Sequence, residues 1–208
     1  MRVRLLVAVA AAATLLGAAP GLAIGQKPQI TDPPGDALGS RASLDIVSGT
    51  FDTSGIVTKV GRRTTYTPKS FVGTLTLAGP PEAGPGYAYY LNADVAGCGG
   101  FQLAYAPGTV FASTVGAATL YTDCGSPPDE TGSTSTLITV EATIAGNAIV
   151  WTVGLKSLPQ EIKLGSVFSN LSAYTDIVEP VLGVIGPGYL TDVLWVDSAT
   201  SDKTWKLG

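Results

Sequence analysis

The chain contains no histidine, so no imidazole is present to act as a general base, to complete a Ser-His-Asp triad or to build a His-Glu-x-x-His zinc site. Its only methionine is the initiator. Charged residues make up just 13% of the 208 residues, and basic ones are the scarcer kind, with 12 Lys and Arg against 16 Asp and Glu. Nucleic acid and anionic membrane are poor partners for a surface of that overall sign. No apolar run reaches the roughly 20 residues that a membrane-spanning helix needs. The Asp-x-Asp-x-Asp-Gly loop of an EF-hand is missing, and the Gly-rich piece Gly183-Val184-Ile185-Gly186-Pro187-Gly188 lacks the lysine of a phosphate loop, so it reads as turns. No internal repeat supports a propeller or solenoid. Glycine and proline are plentiful, at 26 and 14 residues, a balance that suits many short strands joined by turns.

The N-terminus, MRVRLLVAVAAAATLLGAAPGLA, carries two arginines, an apolar run from Leu5 to Leu16 and a small-residue exit, the pattern of a secretory signal peptide. Cleavage is expected before Ile24, with a cut after Ala18 or Ala19 as the alternative. No cysteine lies near the cut to take a lipid, and Lys206-Leu207-Gly208 ends the chain without an apolar tail. The expected organisation is therefore a leader (residues 1–23) and one domain (24–208), secreted, with no membrane span once the leader is removed. Removing Arg2 and Arg4 leaves 10 basic against 16 acidic residues, a net charge of about −6. Cys98 and Cys124 form an even pair in an exported chain, and their spacing is far from Cys-x-x-Cys. A structural disulfide is the simplest reading, free thiols or a redox pair the alternative.

Residues 24–42 hold Pro28, Pro33, Pro34 and Gly35 with little periodicity and read as an extended lead-in. From Ser43 onward β-type runs follow one another: Leu44–Phe51, Gly55–Val60, Phe71–Leu77, Tyr87–Val95, Phe101–Tyr105, Ser166–Tyr174, Val193–Val196 and Lys203–Leu207. The plainest hairpin is Thr136–Ile144 with Ala148–Leu155, joined by Ala145-Gly146-Asn147. Ile138, Val140, Ala142 and Ile144 alternate with polar residues in its first arm, and Ile149, Trp151, Val153 and Leu155 line one face of its second. Short helices are expected only around Ser157–Glu161 and Asp176–Leu182. Nine or ten short strands in one domain point to an all-β, two-sheet antiparallel sandwich of jelly-roll or immunoglobulin-like form.

Thr31-Asp32-Pro33-Pro34-Gly35-Asp36, the Leu44–Phe51 strand, Ile149–Leu155 and the closing Asp197-Ser198-Ala199-Thr200 resemble secreted β-sandwich domains of actinobacteria. Those domains are similar in turn to the DOMON-like and family 9 carbohydrate-binding superfamily. The resemblance spans most of the mature chain and implies an extracellular, non-enzymatic binding or structural role, without naming a ligand. It also implies structural calcium near the chain ends. Haem of the DOMON kind is not expected, since that group is held there by Met and His.

Two constellations could carry function. Asp32, Asp36 and Asp45 flank the Pro-Pro-Gly turn, and Asp197 or Asp202 from the closing segment could join them to hold Ca²⁺, whose six to eight ligands are all oxygen. The alternative is that Asp32 and Asp36 cap their own turn and Asp45 is a solvated strand position. The second constellation is aromatic. Tyr87 and Tyr89 share one strand face and Tyr90 the other, so Tyr87, Tyr90 and Trp205, with Trp195, could form a platform for an extracellular glycan or cell-surface component. The alternative places Tyr89, Trp151 and Trp195 in the core. A carboxylate-dependent glycosidase has less support, because Glu141, Glu161, Asp176 and Glu179 show no partner spacing.

Overall fold

In the computed structural model the described residues are 27–84, 86–107, 118–124, 136–179 and 192–208. The expected leader and the Gly183–Gly188 piece lie outside them. Among the described residues eleven strands follow in chain order: β1 (Ile30–Thr31), β2 (Ile46–Val60), β3 (Arg63–Leu77), β4 (Tyr87–Val95), β5 (Gly100–Tyr105), β6 (Ala118–Thr122), β7 (Thr136–Ala145), β8 (Ala148–Gly154), β9 (Val167–Glu179), β10 (Asp192–Ser201) and β11 (Trp205–Lys206). Every pairing among them is antiparallel, so the all-β class holds.

The strands make one continuous path, β1-β2-β3-β8-β7-β6-β5-β4-β9-β10, with β11 added to the far side of β9. β7 is where the path turns. Thr136–Val140 pairs with β6, whereas Glu141–Ala145 pairs with β8. Because it sits at this corner, β7 buries less than its alternation suggests: Ile138, Val140 and Ala142 are half-buried against the core and Ile144 is exposed. β8 behaves as expected, with Ile149, Trp151 and Val153 buried. The β7–β8 turn is Gly146-Asn147, and Gly146 has φ +64°, the left-handed first position that a type II′ turn requires.

Three expectations need correcting. The Leu44–Phe51 run, from Ile46 onward, and Gly55–Val60 are one strand, β2, whose outer part pairs with Arg63–Ser70 in a long hairpin. Ala118–Thr122, too short and mixed to stand out, is a strand because β5 and β7 complete its ladders on both sides. The helices are absent among the described residues: Asp176–Glu179 continues β9, and only Leu155–Ser157 makes a 3₁₀ turn. Residues 180–182 lie outside the described set.

The core forms between the two halves of the curled sheet. Phe51 (β2), Phe71 (β3), Phe101 (β5), Phe168 (β9) and Trp205 (β11) cluster with ring centroids 5.1–6.2 Å apart, edge-on, tilted or offset, an arrangement that adds to their area burial. Gly73 lets the halves approach, since a Cβ there would collide with Leu103. A disulfide joins Cys98, in the β4–β5 turn, to Cys124, just past β6, and both residues are buried. At the open side of the curl the two ends of the path meet, with β1 and the start of β2 against β10. Among the described residues no ladder closes this seam. Leu38 N donates to Val196 O at 2.9 Å, and Thr175 Oγ1 donates to the carbonyl of Leu44 at 2.6 Å.

Candidate functional site

The seam gathers the acidic residues. Asp32 and Asp36 sit on the turn after β1, and Gly35 between them takes φ +100°, which only glycine adopts readily. A bulge between Trp195 and Asp197 re-aims β10. It lets Asp197 Oδ2 accept from Ile46 N at 2.6 Å while Oδ1 accepts from Ser198 N at 2.8 Å. One carboxylate thus stitches the last long strand to the second. Carboxylate oxygens of Asp32, Asp36 and Asp197 all lie within 4.8 Å of one another. Asp45 is buried behind them, its Oδ2 accepting from Gly35 N at 2.7 Å. Asp202 is exposed and not part of the group.

The electrostatics there are unfavourable for bare carboxylates. Asp32 is pushed up to about 6, first by burial and then by the charges of Asp197, Asp36 and Asp45. Asp197 is also raised, chiefly by burial, with the Ile46 and Ser198 N–H groups pulling the other way. Asp32 Oδ2 and Asp45 Oδ1 are buried with no hydrogen-bond partner, and orphaned acceptors of this kind cost about 1–3 kcal/mol each. A cation or a proton would satisfy them. Oxygens around one Ca²⁺ at 2.3–2.6 Å are at most about 5 Å apart, and a set that lies within 4.8 Å of one another is compatible with that ion.

The aromatic residues do not assemble as the sequence suggests. Trp205, expected on a platform, is only 5% exposed and packs on Phe51, Phe71 and Phe168. It is drawn inward because the β11 ladder sets it opposite Phe168, whose own side chain is buried. Tyr87 packs against the core with its hydroxyl accepting from Arg41 Nη1 at 3.1 Å, on the face of Tyr89 and opposite Tyr90. Trp195, which the platform reading included and the alternative placed in the core, is 60% exposed.

On the outer face Tyr90 (β4), Tyr174 (β9) and Trp195 (β10) form a ladder. The Tyr90 and Tyr174 rings are 4.8 Å apart, and Tyr174 and Trp195 stack at 5.1 Å and 25°. Beside the ladder lies a cleft of about 310 Å³, lined by Asn92, Asp94, Gln102, Tyr121, Asn170 and Tyr174 among others. Gln102 Nε2 donates to the Tyr174 hydroxyl at 2.9 Å, and Asn170 Nδ2 donates to Asp94 Oδ2 at 2.7 Å. The Asn92 amide lies near the same hydroxyl without a well-formed bond, leaving its nitrogen and oxygen unsatisfied. Asp176, next along β9, is buried; its Oδ1 lacks a partner, and burial lifts it to about 6. The Tyr90 and Tyr174 hydroxyls are raised as well, mainly by burial.

Tyr174, Asn92, Gln102 and Asn170 escape sequence reasoning because no motif links them. The available signal was Tyr90-x-Asn92-x-Asp94 and Asn170-x-Ser172-x-Tyr174, outward-facing positions that carry amides and rings in place of the usual Lys and Glu. Glu141 and Glu161 are exposed and stand apart from the cleft, whose described lining holds a single carboxylate, Asp94. Among the described residues no helix is long and apolar enough to cross a membrane. Compared with known proteins, the chain matches no family model, no curated protein and no solved structure.

Proposed function

We propose that this chain is a secreted, non-catalytic binding module whose outer sheet face takes a hydroxyl-rich ligand of the saccharide type. The ladder of Tyr90, Tyr174 and Trp195 beside an amide-lined cleft carries the proposal. Sugars present C–H faces that stack on rings and hydroxyls that pair with amides and carboxylates, and the cleft-lining Asn92, Gln102, Asn170 and Asp94 supply such groups. Export is supported by the leader sequence, and the Cys98–Cys124 disulfide is compatible with it. On this view the curled sheet serves as a sandwich of two facing halves, in keeping with the resemblance to DOMON-like and family 9 carbohydrate-binding domains.

We assign Ca²⁺ to the seam, held by Asp32, Asp36 and Asp197 with Asp45 behind, as a structural ion that secures β1 and β2 to β10. The two orphaned acceptors favour a bound cation there, the spacing of the oxygens is compatible with Ca²⁺, and an all-oxygen ligand set suits it. A glycosidase would need a second carboxyl facing Asp94 across the cleft. A glycan array together with pull-down on insoluble polysaccharides tests the ligand class. Retention on at least one polysaccharide is expected, and no binding in either format would sink the saccharide proposal.

A further inference from the structure

The outer half of the β2–β3 hairpin projects from the body with no strand among the described residues on either side. Gly55–Val60 gives it a reach of about 20 Å. It is braced from within, since the Tyr66 hydroxyl donates to the carbonyl of Thr53 at 2.8 Å. The arm holds Lys59, Arg62, Arg63 and Lys69, and no acidic residue occurs between Asp52 and Glu82. Apart from Arg2 and Arg4 in the leader, the rest of the chain has six cations against all 16 carboxylates. None of the four arm cations makes an ion pair or a side-chain hydrogen bond among the described residues. Ile56, Val57 and Val60 are 55%, 61% and 73% exposed.

From these observations we propose that the arm docks the protein on an anionic lipid surface. Strand alternation sends Ile56 and Val60 to one face of the ribbon and Val57 to the other. A flat protein partner could cover only one of those faces, whereas a lipid interface surrounds the tip and covers both. Cations beside exposed apolar side chains are the composition that interfacial binding uses. Pro68 and the four positive charges oppose edge-to-edge pairing with another copy. The unpaired backbone along both edges keeps the arm at headgroup depth, because hydrocarbon does not accept open strand edges. The net charge of the whole chain argues against such a partner, but the local charge of the arm is what meets the surface.

Flotation of the mature protein with phosphatidylcholine vesicles, with and without 30 mol % phosphatidylglycerol, tests this. Binding is expected only with the anionic lipid. Each cation contributes roughly a fivefold gain near such a surface, so Arg62→Gln with Arg63→Gln lowers partitioning roughly thirtyfold. Val57→Ser with Val60→Ser lowers it several-fold at unchanged charge, and Val60→Trp gives blue-shifted emission on the vesicles. Unchanged melting temperatures show that the variants fold. Any of four results overturns the proposal: no binding; equal binding to neutral vesicles; indifference to the valine pair, which marks a polyanion site; or self-association in sedimentation that the arginine pair abolishes.

Discussion

Acidification and calcium should act on the same seam, and their effects can be separated. Asp32 titrates at about 6 in the fold against 3.8 for a free carboxyl. A carboxyl whose folded pKa is raised takes up a proton more readily when folded. The apo protein therefore gains stability as pH falls through about 6, completes the gain below about 4, and is least stable on this account at pH 7. The shift corresponds to about 3 kcal/mol before screening. Asp32 is partly exposed, so about 1 kcal/mol is the realistic size. Calcium at pH 7 removes the same repulsion. An extracellular-type site with Kd between about 0.1 and 1 mM contributes roughly 1.4–2.7 kcal/mol at 10 mM Ca²⁺, or about 3–10 °C in Tm for a domain of this size. Asp36 is exposed and accepts no hydrogen bond among the described residues. Asp36→Asn therefore raises the apo Tm at pH 7 slightly and removes most of the calcium gain. Calorimetric melts from pH 4 to 8, in chelator and in 10 mM CaCl₂, read all three effects. A Tm indifferent to calcium at pH 7 and flat between pH 7 and 5 would refute the electrostatic account of the seam.

Three further outcomes follow from the core. Phe168 touches Phe51, Phe71, Phe101 and Trp205, so Phe168→Ala should cost about 3–5 kcal/mol in urea denaturation, and Phe168→Leu markedly less. The disulfide closes a 26-residue separation, and the chain-entropy model gives about 3.5 kcal/mol for such a loop; Cys98→Ala with Cys124→Ala should lower stability by an amount of that order. Gly73→Val drives a side chain into Leu103 and should lose about 1–3 kcal/mol in the same assay, and Gly146→Asn, strained at the positive φ of the β7–β8 turn, should lose an amount of the same order without any clash.

The strands that buried one clean face were legible as sequence. Ile149-x-Trp151-x-Val153 and Tyr89-x-Leu91-x-Ala93 alternate because a core lies on one side only, and the structure buries those faces. What stayed hidden depended on closure. β7 changes partner after Val140, which no local pattern records, and Trp205 leaves the expected platform because β11 sets it opposite the buried Phe168, while Trp195 stays exposed on β10 beside the bulge. The acidic turn was visible through Asp32-Pro33-Pro34-Gly35-Asp36, and Asp197 meets it 161 residues past Asp36 only because the two ends of the path come together. The cleft is harder to see from sequence, since its amides come from three strands and stand out only once β4, β5 and β9 are in register.

The most direct test is titration calorimetry of the mature protein with whichever oligosaccharide the array returns, repeated on Tyr174→Ala and Trp195→Ala. Each lost ring should weaken binding by roughly fivefold to tenfold, on the scale of about 1 kcal/mol for a stacking contact, with little change in Tm for the exposed Trp195→Ala. Affinity unchanged in both variants would contradict the assignment of the outer face as the binding site.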